Sequence, residues 1–203
     1  MKSKLFLGLV LISVVVLFSS CAKVPQVEID AATAAIADAK AGEADVYVAA
    51  EFAALNDSMN VANQAVEAKK GKLFASMKAP KAQLTAIVAQ AAQVKANAAT
   101  RKEEVKAEVA TLQAELATLV EQVKALVVKA PKGKEGKAAV EAINAEIAAV
   151  EAAVAEVTGL VGQGTYMAAL DKAKAAKEKA GAIKTELIDV LTKARVKIPA
   201  ELM

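Results

Sequence analysis

The sequence predicts an all-α protein built of elongated helical hairpins, or three-helix bundles, that share one long coiled-coil-like helix. Three observations lead there. Alanine supplies 50 of the 203 residues, aromatics are scarce, and tryptophan and histidine are absent; such a chain forms helices packed through small side chains or does not fold. Spacing decides for helix: Val105, Val109, Leu112, Leu116, Leu119, Val123 and Leu126 recur alternately four and three residues apart, as one face of a helix requires. Val140, Ile143, Ile147, Val150, Val154, Val157 and Val161 repeat the pattern, and two such seams separated by a short break are suited to face each other.

The elements follow in order. Pro25 suits the start of a helix over Gln26 to Ala41, and Gly42 can end it in the left-handed conformation that other residues resist. A second helix is expected from about Asp45 to Lys70, ending near Gly71. From Lys72 the pattern continues to Lys129, about 58 residues or roughly 87 Å at 1.5 Å per residue. Pro80 lies near the start of that helix, either as a first-turn proline or as a kink. Pro131, Gly133 and Gly136 then end the helix and let the chain reverse. The next helix is expected to reach about Thr158, with a turn over Gly159 to Gly164. A last helix follows from Thr165 to about Arg195, containing Gly181 at a cost of about 1 kcal/mol relative to alanine. Pro199 marks a frayed tail.

Lengths suggest the architecture. The helix ending near Lys70 can fold back along residues 72–97, and the helix after Gly136 along residues 108–129. Each hairpin leaves room for a third helix, so two three-helix bundles are expected on one shared helix, a rod rather than a ball. The regions are 26–100 and 101–196, with 197–203 as tail. Each buried alanine contributes little at about 25 cal/mol per Å², so a second copy of the chain could add burial along the seams as a homo-oligomer.

A weak repeat accompanies the hairpins. Gly42-Glu43-Ala44-Asp45-Val46-Tyr47 and Gly162-Gln163-Gly164-Thr165-Tyr166 each carry a glycine-bearing turn into a helix with a tyrosine at its start, and Gly71-Lys72-Leu73-Phe74 is a looser third copy. Tyr47, Phe74 and Tyr166 are therefore expected to pack across the hairpin mouths. A ligand role for the tyrosines is the alternative.

The amino terminus reads as an export signal. Lys2 and Lys4 precede the apolar stretch from Leu5 to Phe18, which is too short for the roughly 20 residues of a membrane span. The run Leu17-Phe18-Ser19-Ser20-Cys21 resembles the lipobox of bacterial lipoproteins, although Phe18 stands where that family usually has Leu, Val or Ile. The resemblance implies cleavage between Ser20 and Cys21, removal of residues 1–20, acylation of Cys21 and a short tether over 21–25. Ordinary cleavage after Ala22 and an uncleaved anchor are the alternatives. Ala22, in place of the aspartate that retains enteric lipoproteins in the inner membrane, implies the outer membrane; the body is expected to face the periplasm, with surface exposure as the alternative. Residues 21–100 also resemble a family of small Ala-rich envelope lipoproteins with a domain of unknown function. Cys21, Pro25, the run Ala31 to Lys40, Ala41-Gly42-Glu43-Ala44-Asp45-Val46-Tyr47 and Gly71-Lys72-Leu73-Phe74-Ala75 carry that likeness. An Ala-Pro pair usual after the tyrosine is replaced by Val48-Ala49-Ala50. The likeness implies location and a helical hairpin, with no activity attached.

Residues 1–20 hold two of the 26 basic residues and none of the 23 acidic ones, so the remainder carries a net charge of only +1. This even Lys/Glu mixture gives no basic stripe for nucleic acid. With no histidine, and with the lone cysteine assigned to acylation, the usual nucleophile pairs, disulfides and zinc ligands are missing. No cofactor or metal is expected. Glu103-Glu104, and Glu151 with Glu156, read as solvated faces. Gly162-Gln163-Gly164 is too short to cradle phosphate. The stretch Lys172 to Lys184, which also holds Asp171 and Glu178, reads as a solvated face, with anionic head groups as the alternative. The function expected is a non-enzymatic structural or protein-interaction role at the membrane, contacting envelope proteins or cell wall. The alternative is a carrier of lipid or another apolar ligand.

Overall fold

The structure is a computed structural model that describes residues 23–72, 74–130 and 134–203. Among these residues six α-helices follow in chain order: α1 Gln26–Ala41, α2 Ala44–Tyr47, α3 Ala49–Glu67, α4 Lys78–Val127, α5 Lys134–Gly162 and α6 Tyr166–Lys193. A 3-10 turn, Ala200–Leu202, closes the chain. No strand occurs among the described residues, so the fold class is all-α as composition and spacing predict. The chain forms two compact units whose boundary falls between Arg101 and Lys102, inside α4.

In the first unit α1 and α3 pack on the first half of α4. Ion pairs show that α1 runs in the same direction as α4, since Glu28 meets Lys81 at 2.7 Å and Asp38 meets Lys95 at 3.9 Å. α3 runs the other way, with Asn97 Nδ2 donating to Glu51 Oε2 at 2.7 Å. The core is mixed. Leu55, Met59 and Val66 of α3 and Leu84, Ile87 and Val94 of α4 are buried, whereas α1 contributes Ala32 and Ala39. Small side chains there let helices approach closely.

In the second unit α5 and α6 pack on the second half of α4. α5 is antiparallel to it, as Gln113 Nε2 donates to Thr158 Oγ1 at 3.3 Å and Lys124 pairs with Glu151 at 2.6 Å. α6 runs parallel to α4: Lys174 pairs with Glu108 at 2.8 Å, Lys177 with Glu115 at 2.6 Å, and Lys184 Nζ donates to Gln122 Oε1 at 3.0 Å. Val120, Val123, Ile147, Val150, Ala180 and Ile183 meet at the interior of this unit with no room for a water molecule between them. No polar side chain is buried among the described residues.

The structure corrects several boundaries. The expected helix from Asp45 to Lys70 is broken at Val48, whose backbone (φ −137°, ψ 49°) separates α2 from α3, and α3 ends at Glu67. α4 begins at Lys78 rather than Lys72 and has 50 residues. Pro80 sets that start. A proline has no N–H for the carbonyl four residues earlier, and its ring collides with that carbonyl in a helix, so Ser76 cannot be helical and Pro80 lies in the first turn. α5 reaches Gly162, through Gly159, instead of stopping near Thr158. At the end of α1 the left-handed residue is Glu43 (φ 61°), not Gly42 (φ −82°). Gly42 serves closeness instead, since a Cβ there would meet Lys95 Cγ at 3.1 Å and the Ala39 oxygen at 3.3 Å. The first apolar seam is buried as expected at Val105, Val109, Leu112, Leu116, Val123 and Leu126, but between Leu116 and Val123 it passes through Val120 rather than Leu119.

Candidate functional site

Ser20 and Cys21, the expected cleavage and acylation positions, lie outside the described residues. The three turn aromatics fall in different settings. Tyr47 ends α2 and is buried. Tyr166 opens α6, half-buried, with the ammonium groups of Lys102 and Lys106 standing 6.0 and 5.3 Å from its ring centre. It therefore packs on α4, and a cation over a ring face is attracted by the ring's quadrupole. Phe74 does neither. It is 84% exposed with φ 64° in the connection between α3 and α4, so the expectation that it packs across a hairpin mouth is corrected. That segment is not helical, and the geometry that places Tyr166 against α4 has no counterpart at Phe74.

The turn before α6 is a Schellman arrangement. Thr165 N donates to Leu160 O and Gly164 N to Val161 O, both at 3.0 Å, around Gly164 at φ 76°. These bonds satisfy the last carbonyls of α5, which is the turn role expected of Gly162-Gln163-Gly164. Arg195, at φ 54°, ends α6 in the same way: Val196 N donates to Leu191 O and Arg195 N to Thr192 O.

The carboxylates singled out from the sequence are drawn into ion pairs. Glu103 binds Lys106 at 3.1 Å, Glu151 binds Lys124, and Glu156 binds Lys172. Among the described residues no group of three or more Asp, Glu or Cys side chains converges as a metal site would require. The hydrogen bond from Lys106 to Glu103, joined by that carboxylate's charge, raises the Lys106 pKa above its ordinary value. Lys124 is raised chiefly by its hydrogen bonds to Glu151 and Glu121. Glu28 is lowered chiefly by its bond from Lys81. The pairs Glu28–Lys81 and Lys124–Glu151 link neighbouring helices, while Glu103–Lys106 lies within α4, and all leave their charges in solvent. The ladder from Lys174, Lys177 and Lys184 to Glu108, Glu115 and Gln122 was not anticipated. The seven-residue spacing of Glu108, Glu115 and Gln122 was the signal that could have revealed it.

Two open grooves line the helix seams. One, of about 270 Å³, lies between α3 and α4 over Leu55 and Val94, rimmed by Glu51, Ser58, Gln90 and Gln93. The other, of about 350 Å³, lies between α4 and α5 over Val120 and Val154, rimmed by Glu121, Lys124 and Glu151. No described helix is long and apolar enough to cross a membrane.

No protein-family model, curated protein or solved structure matches this chain. The class that fold and geometry define is therefore a pair of all-α three-helix units with charge-paired surfaces.

Proposed function

We propose that the protein is a bacterial envelope lipoprotein, acylated on Cys21 and anchored in the outer membrane facing the periplasm, whose helical units serve a structural or protein-interaction role without catalysis. The observation that carries this reading is the lipobox-like run ending at Cys21, placed directly before the helical body. α1 begins at Gln26, so the tether of residues 21–25 can reach at most about 17 Å at 3.4 Å per residue. A body held that close to a bilayer suits an element that positions other components. Support for a non-enzymatic role comes from the sequence, which has no histidine and a single cysteine, at the acylation position. The partners proposed are envelope proteins or cell wall. Proximity crosslinking in the native host tests this: specific capture of envelope components by wild type, lost in Cys21→Ala, is expected. Full cellular activity of a soluble, monomeric Cys21→Ala form contradicts it.

A second reading, a carrier of lipid or another apolar ligand, draws on the grooves over Leu55 and Val94 and over Val120 and Val154. Native mass spectrometry of protein purified from its host discriminates between the two. A stoichiometric lipid besides the covalent chains favours the carrier, and none favours the structural role.

A further inference from the structure

Three segments meet at one end of the first unit: the residues leading into α1, the end of α3, and the connection 68–77 into α4. The ion pair of Glu28 with Lys81 joins the first turn of α1 to that of α4, and an open groove of about 570 Å³ lined by Val24, Val27, Met77 and Lys78 runs between these two ends. Lys23 is two residues from Cys21 in the sequence. The charge is uneven. Lys23, Lys69, Lys70, Lys72, Lys78 and Lys81 stand here against Glu28 and Glu67, a net +4, while the other residues from 21 onward together carry −3. Lys81, Lys70 and Lys69 are engaged by Glu28, Glu67 and the Ser76 carbonyl. Lys23, Lys72 and Lys78 are exposed.

Apolar side chains are also presented here. Phe74 is 84% exposed and Val27 77% exposed. Phe74 is held at φ 64°, a conformation that bulky residues resist; an exposed aromatic in that conformation is an outlier that calls for a function. An exposed ring, a valine and cations at one end of the unit match the headgroup region of a bilayer, where apolar groups enter the acyl boundary and lysines meet phosphates.

We propose that this end of the first unit seats on an anionic phospholipid surface, with Phe74 inserted and Lys23, Lys72 and Lys78 against the phosphates. The inference deepens the lipoprotein reading and rests on it for the second attachment point, because one acyl anchor and one basic-aromatic face together fix the body's orientation as neither does alone.

The chain has no tryptophan, so Phe74→Trp places a single indole at the point of contact. The full chain carrying that substitution is purified from a bacterial host and reconstituted into vesicles of phosphatidylcholine alone or with one third phosphatidylglycerol. Expected are a blue shift of the emission and protection from aqueous iodide with phosphatidylglycerol, absent on phosphatidylcholine. Both are diminished in 1 M salt, where screening shortens to about 3 Å, and in the variant that adds Lys72→Gln and Lys78→Gln. A solvent-exposed emission on both vesicles, or an equal shift on both, overturns the proposal. The mass of the amino-terminal peptide, measured on the same sample, separates the two ideas. An unacylated cysteine with a phosphatidylglycerol-dependent shift sinks the lipoprotein reading alone, and an acylated cysteine without the shift sinks the docking surface alone.

Discussion

The ammonium of Lys69 donates to the carbonyl oxygen of Ser76 at 2.9 Å. Ser76 lies four residues before Pro80, so its carbonyl has lost the helical donor it would otherwise use, and a lysine in the turn just after α3 supplies one. The bond closes the connection between α3 and α4. Lys69→Met is expected to lower stability by about 1 kcal/mol, the net worth of one such bond. Pro80→Ala restores the missing N–H, and helix is expected to extend toward Ser76. Amide hydrogen exchange checks both: protection at residue 80 appears in Pro80→Ala, and exchange over 69–77 quickens in Lys69→Met.

Glycine substitutions are expected to split by sign. Gly164 has φ 76° and open space where a Cβ would go, so Gly164→Ala pays only for the left-handed backbone and is expected to destabilise by about 1 kcal/mol. Gly181 lies inside α6, also with nothing near its absent Cβ, and Gly181→Ala is expected to stabilise by about 0.5–1 kcal/mol. Arg195→Gly should stabilise as well, because φ 54° suits glycine. Thermal unfolding of the three variants checks these signs.

These positions show what the sequence made legible. α1 lies where Pro25 and Gly42 put it, and the seam from Val105 to Leu116 is buried as spaced. Past Leu116 the seam returns at Val123 and Leu126, and only Leu119 gives way, to its apolar neighbour Val120; with both residues apolar, spacing alone does not choose between them. The buried face of α6, with Ala169, Ala173, Ala176 and Ala180, was not legible because alanine also occurs on its outer faces. The break at Val48 has no local signal in the sequence, which holds no glycine or proline there. Phe74 was misread because a glycine before an aromatic resembles the other two turns, while the decisive constraint, Pro80, acts from six residues downstream.

Core truncation should act unit by unit. Leu84 and Leu116 are both fully buried on α4, one on each side of the Arg101–Lys102 boundary. Each change to alanine is expected to cost 2–5 kcal/mol. Hydrogen exchange should locate the loss, with Leu84→Ala loosening α1 and α3 first and Leu116→Ala loosening α5 and α6 first.

Stability should be insensitive to pH across the neutral range, since no histidine titrates there. The Glu28 pKa is held below 4.5 in the folded state, so its contribution is present above that value and is lost as pH falls through the lower folded one. Lys106 and Lys124 are held above 10.5, so theirs are complete below that value and are lost as pH rises through the folded ones. An unfolding midpoint that is level between about pH 6 and 9 and falls on both sides is expected from these ordinary and shifted values. Thermal melts across that range check it.

Attachment through Cys21 is the claim on which the proposed role depends. Intact-mass spectrometry of the protein extracted from its host's membranes tests it most directly. The predicted result is a chain of residues 21–203 carrying diacylglycerol on the cysteine sulfur and a further acyl group on its amino terminus; a chain beginning at Lys23, or one that retains residues 1–20 without lipid, would contradict it.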